Sequence, residues 1–64
     1  MSKYTKWYTN ITDNARTRSI GSYTEKHHVI PRSVGGDNSS FNIVALTARE
    51  HFICHWLLTK TTTG

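Results

Sequence analysis

One cysteine among 64 residues, Cys54, leaves no disulfide to staple the chain to itself, and cysteine this scarce fits a reducing compartment. No run of about 18 apolar residues occurs, so no membrane-spanning helix is expected. The first ten residues, MSKYTKWYTN, lack the unbroken apolar core of a signal peptide. The default address is therefore the cytoplasm. Acidic side chains are also few: four Asp and Glu face eight Lys and Arg, a formal charge of +4 and a pI near 9.7. Such a surface favours an anionic partner, nucleic acid first. Repeats and low-complexity segments are missing as well. The chain is long enough for one small domain, whose core alone gives marginal stability. With disulfides excluded, the staple has to be a bound metal or a partner.

Within these limits the chain reads as helix, hairpin, helix. Tyr4, Trp7, Tyr8, Ile11 and Ala15 form one apolar stripe, predicting a helix over about 3–18 with Ser2 as its cap and its aromatic face as core. Lys6, Arg16 and Arg18 lie off the stripe, toward solvent. Gly21 marks the break. Residues 25–30 read as a short strand ending at Pro31, which has no amide hydrogen for a ladder. RSVGGDNSSF is a loop with Gly35-Gly36-Asp37-Asn38 at its tip, and 42–46 is a second strand. Together they predict an antiparallel hairpin over about 25–46, with a loop longer than usual. Thr47 and Glu50 make a capping box that starts a helix over about 48–60. Phe52, Ile53, Trp56 and Leu57 give that helix its apolar surface. The closing Thr-Thr-Thr-Gly is expected to fray. The end is abrupt, which keeps a longer parent protein in view.

All four histidines fall between residues 27 and 55. His51 and His55 stand i, i+4 on the last helix, on one face and close enough to bind one metal ion together. His27 and His28 are neighbours in a strand, so their side chains point to opposite faces. One can turn toward the helix pair as a third ligand; the other then faces the adjoining groove. Three neutral imidazoles leave a coordination position open, the pattern of a catalytic site rather than a closed structural one. Cys54 lies about 100° around the helix from His55 and reads as a small buried apolar residue, not a ligand.

The segment from Glu25 to His55 resembles the HNH endonucleases, whose fold is the ββα-metal (His-Me finger) motif. The residues that carry the likeness are Glu25, His27, His28 and Pro31 in E-x-HH-x-x-P, the Gly35-Gly36 turn, Asn42, and His51 and His55 in H-x-x-x-H. The likeness is strongest to the three-histidine type found in nuclease colicins and small phage-encoded HNH proteins; residues 1–20 resemble, more softly, the leader helix of some of the latter. A phage-encoded chain would act in the host cytoplasm. The resemblance implies that His27, His51 and His55 bind one divalent metal and that His28 is the general base, its ordinary pKa lying near working pH. It also implies that Asn42 fixes the hairpin loop and holds the base histidine, through its side chain or its backbone carbonyl.

The expected fold class is therefore α+β, a ββα-metal motif behind a leader helix. The expected activity is metal-dependent hydrolysis of DNA, double-stranded first, with 5′-phosphate products. Many relatives have Asp where His27 stands. An all-imidazole set favours Zn, with Mn, Ni or Co as alternatives, over oxygen-seeking Mg. Arg32 and Arg49, then Lys26, are the candidates for phosphate contacts. Glu25 is expected either to orient such an arginine or to be an exposed charge at the strand start. The alternative function is a zinc-stapled DNA-binding module, or a nuclease fragment that does not cleave alone. Oligomeric state, sequence preference and RNA as a substrate stay open.

Overall fold

A computed structural model describes residues 2–61. Helix α1 spans Lys3–Arg16, strand β1 Glu25–His28, strand β2 Ile43–Leu46 and helix α2 Ala48–Thr61, with a single 3-10 turn at Arg32–Val34. The architecture is α+β: an N-terminal helix, a β-hairpin and a C-terminal helix in a ββα-like arrangement. Of the four closing residues expected to fray, Thr61 is still helical and 62–64 lie outside the described residues. No described helix is long and apolar enough to cross a membrane.

Local chemistry sets the helix starts. Ser2 Oγ accepts the Thr5 amide at 3.2 Å, satisfying one of the donors every helix leaves open at its N-terminus. At α2 the capping box closes both ways: Glu50 N donates to Thr47 Oγ1 at 3.2 Å, and Thr47 N donates to Glu50 Oε1 at 3.0 Å. Glu50 also holds Arg18, whose Nη1 donates to Oε2 at 2.7 Å while Nη2 pairs with Oε1. Arg18 was expected to face solvent; it joins the segment after α1 to the start of α2. The guanidinium holds the Glu50 carboxyl down at about 2, with the Thr47 amide and hydroxyl adding to the effect.

The two strands pair antiparallel in the register Glu25↔Leu46, Lys26↔Ala45, His27↔Val44 and His28↔Ile43. Alternation puts Val44 and Leu46 inward on β2 and leaves Ala45 exposed. Because His27 is opposite Val44, it shares that inward face. A hairpin of two four-residue strands does not stand alone in water, so both helices pack on it. The core is Tyr8 and Ala15 from α1, Val44 and Leu46 from β2, and Cys54 and Leu57 from α2.

The aromatic stripe of α1 is rotated from its expected setting. Tyr8 and Ala15 are buried, but Trp7 is 48% exposed, and Thr12 takes the inner position. Thr12 is tolerated there because its hydroxyl donates to Tyr8 O at 3.1 Å within the helix. The apolar face of α2 also differs from expectation. Phe52 is 75% and Trp56 47% exposed, while Cys54 and Leu57 face inward. Cys54 is the small buried residue expected, its thiol pushed up to about 11 by burial.

In the long loop, Gly35 sits at φ 99°, in the left-handed region. Gly36 passes so close to the strand end that a Cβ there would lie 1.6 Å from Ile30 O. Asn42 is the loop's fastener. Its side-chain oxygen accepts from Ile30 N at 2.8 Å, and its amide donates to Ile30 O at 3.0 Å and Asp37 O at 2.9 Å. Its own backbone carbonyl accepts from Val29 N at 2.8 Å.

Candidate metal centre and its cleft

His27, His51 and His55 come together where β1 meets α2, each offering a ring nitrogen within 4.8 Å of the others. Helical spacing brings His51 and His55 side by side, with their Nε2 atoms 3.0 Å apart. Two nitrogens on one tetrahedral zinc at about 2.0–2.1 Å stand about 3.3 Å apart, so this pair is set close to a chelating geometry. His27 reaches the pair from the strand, its ring centroid 5.2 Å from that of His51 and 5.3 Å from that of His55.

Burial and its neighbours decide the charge of His27. It is 2% exposed, and desolvation first, then His51, His55 and His28, lower its pKa to about 4. A neutral imidazole is the ligand form, because metal and proton compete for the same lone pair. His51 is oriented by a carboxylate: its Nδ1 lies 2.7 Å from Glu25 Oε1. Glu25 in turn accepts the Tyr23 hydroxyl at 2.6 Å. Tyr23 and then His51 hold the Glu25 carboxyl below its ordinary value, so it is an anion and the His51 nitrogen is the donor. In the neutral ring this leaves the Nε2 lone pair of His51 facing His55, the arrangement of a carboxylate-oriented metal ligand. Three convergent imidazoles can hold a metal ion.

The expectation for Glu25 is thereby corrected. Its partners are His51 and Tyr23, not an arginine, and it is half-buried rather than an exposed charge. The sequence reading missed Tyr23 because nothing in a local pattern sets its hydroxyl apart.

His28 occupies the rim. Although it follows His27 on the strand, it lines the same cleft of about 340 Å³ as the three other histidines, with Lys26 and Arg32. Its Nε2 lies 2.7 Å from Asn38 Oδ1, from the loop tip. Among the described residues no hydrogen bond runs from Asn42 to His28. Asn42 instead holds Asp37, whose neighbour Asn38 makes that contact. Asn38 was not singled out in the sequence, where it reads only as a turn residue. Arg49 is exposed in the first turn of α2 and is not among the residues that line the cleft.

The low pKa of His27 has a consequence for the metal-free protein. The unfolded chain binds the His27 proton near the ordinary pKa of 6.5, the folded one only near 4. The unfolded state therefore binds more protons across that interval, and stability is lost as pH falls from about 6.5 to 4, by up to about 3 kcal/mol. The lowered carboxyls of Glu50 and Glu25 add a loss that begins near their ordinary value of 4.5, at the lower end of that window. Urea midpoints measured in chelator at pH 7, 6, 5 and 4.5 should fall steadily. A flat midpoint from pH 7 to 5 would mean that His27 is solvated.

No family model matches the sequence, and no solved structure matches it. The chain is 52% identical over 62 residues to the probable mobile endonuclease D of Enterobacteria phage T4, covering 89% of this chain and 24% of that protein. It is 47% identical over 58 residues to the probable mobile endonuclease E of the same phage, covering 89% of this chain and 41% of the relative. With the probable mobile endonuclease C it shares 38% over 61 residues, 89% of this chain and 29% of the relative. The chain thus spans between 24% and 41% of the length of these relatives, and is homologous to phage T4 probable mobile endonucleases over most of its own.

Proposed function

We propose that this chain is an HNH-type nuclease domain that hydrolyses DNA phosphodiester bonds, with His27, His51 and His55 holding one divalent metal ion and His28 acting as general base. The observation that carries the reading is the convergence of three imidazoles in a cleft whose rim bears a fourth, beside Lys26 and Arg32. The likeness to probable mobile endonucleases supports it.

The donor set fits a borderline transition metal, zinc first, with Mn, Ni or Co next and Mg disfavoured. Bound there, such an ion supplies Lewis-acid stabilisation of charge building on phosphate oxygens. The chain's own residues do the rest. Lys26 and Arg32 attract and seat a backbone phosphate at the cleft, and Arg49, exposed in the first turn of α2, adds positive charge for the duplex. His28, held by Asn38 through one ring nitrogen, keeps the other for the proton of an attacking water. Asn42 is a positioning residue, acting on His28 through Asp37 and Asn38.

The length of the relatives favours a second reading: the chain binds metal and DNA, but cleavage needs the remaining part of a longer protein. Plasmid nicking by the 64-residue chain with Zn, Mn, Ni, Co or Mg, and in chelator, separates the two. The nuclease reading expects nicking with at least one metal and none in chelator. Metal and DNA binding without nicking would leave the second reading standing. Nicking unaffected by chelator would overturn the metal site.

A further inference from the structure

We infer that Tyr8, on the leader helix, is a positioning residue that fixes the tautomer of His27, so that Nδ1 of His27 is the nitrogen turned to the metal. The inference deepens the metal reading and rests on it. The Tyr8 hydroxyl is packed between two partners, 2.7 Å from His27 Nε2 and 2.6 Å from Val29 O. A hydroxyl has one hydrogen and a carbonyl can only accept. The hydrogen therefore goes to Val29 O, since the reverse would press two oxygens together at 2.6 Å with nothing between them. What faces His27 is then a lone pair, and Nε2 must bring the hydrogen.

A neutral imidazole has only one such hydrogen. With Nε2–H committed to Tyr8, the bare nitrogen of His27 is Nδ1. An imidazole that binds metal does so in its neutral form, because metal and proton compete for the same lone pair. His51 is set the opposite way, its Nδ1–H held by Glu25 and its Nε2 turned to His55. The two ligands are thus fixed by different partners through opposite ring nitrogens. One of those partners comes from α1, 19 residues upstream of the histidine it orients. In this view the leader helix is part of the metal centre and not only a lid on the core.

Histidine nitrogen spectra of the metal-free, labelled protein near neutral pH, with zinc affinities from competition titration, test this. Wild type should show His27 with its hydrogen on Nε2. Tyr8→Phe, which keeps the ring and removes the oxygen, should shift His27 to a tautomer mixture and weaken zinc binding about 10–100-fold. A role in packing alone would leave both the nitrogen signals and the affinity unchanged, and that result would overturn the inference. So would a wild-type His27 carrying its hydrogen on Nδ1, and this spectrum decides the matter even if Tyr8→Phe fails to fold. Failure of the wild type to bind zinc would strike the metal reading itself. Normal binding with unchanged affinity in Tyr8→Phe would strike only the role of Tyr8.

Discussion

His28→Ala is expected to lower the DNA cleavage rate by about 10²–10⁴-fold, the range for removing a general acid or base, while zinc affinity and melting temperature stay near wild type. The expectation rests on placement. His28 is at the rim of the cleft, and among the described residues its ring is hydrogen-bonded to a loop side chain, Asn38. His27, one residue earlier, is buried and belongs to the convergent triplet. Replacing His27, His51 or His55 should therefore cost metal affinity and cleavage together, whereas His28 should cost cleavage alone. Single-turnover nicking beside a zinc competition titration reads both quantities on one preparation. Undiminished nicking in His28→Ala would remove this residue from the chemistry. Nicking lost in step with zinc binding would make it a ligand.

The largest stability effect is expected at Asn42. Asn42→Ala strips partners from Ile30 N, Ile30 O and Asp37 O at a position that is 7% exposed. Leaving buried polar groups unsatisfied costs about 1–3 kcal/mol each at full burial. Because water reaches part of the loop, about 2–4 kcal/mol in all is the expected loss. A domain this small commonly has about 3–5 kcal/mol to lose, so the metal-free variant should be largely unfolded at room temperature, and zinc should restore part of the fold by binding only the native state. Asn42→Asp is the sharper comparison. It can still accept from Ile30 N, but it sets a carboxylate oxygen against two carbonyls, so it should recover little of the loss. Urea midpoints for the three proteins, with and without zinc, check this. A loss below about 1 kcal/mol in Asn42→Ala would mean the loop is held by other contacts.

What could be read from the sequence follows from how local each cause is. The Ser2 cap, the Thr47–Glu50 box and the alternation through Val44 and Leu46 each depend on residues within a few positions of one another, and each is present. The approach of His51 to His55 follows from helical spacing, and the inward turn of one member of the 27–28 pair from strand alternation. The illegible parts are decided by docking. Which of Trp7 and Thr12 faces inward depends on a modest rotation of α1 about its axis, and no periodicity fixes that angle. The same holds for Phe52 and Trp56, which a wide apolar face made equally eligible for the core. His51, Glu50 and His27, which Glu25, Arg18 and Tyr8 meet across the fold, lie 26, 32 and 19 residues away from them. Each pairing exists only once the helices have closed on the hairpin.

The near-contact at Gly36 bears on how related chains should be compared. Since a side chain there would collide with the backbone oxygen of Ile30 rather than with something able to swing aside, no smaller or more polar replacement relieves it. A homologue with any other residue aligned to this position has either a different loop path or a misplaced gap. The column at 36 is thus a better ruler for aligning the loop than the histidines, because tolerance there is set by space alone and owes nothing to which metal or substrate a given relative uses.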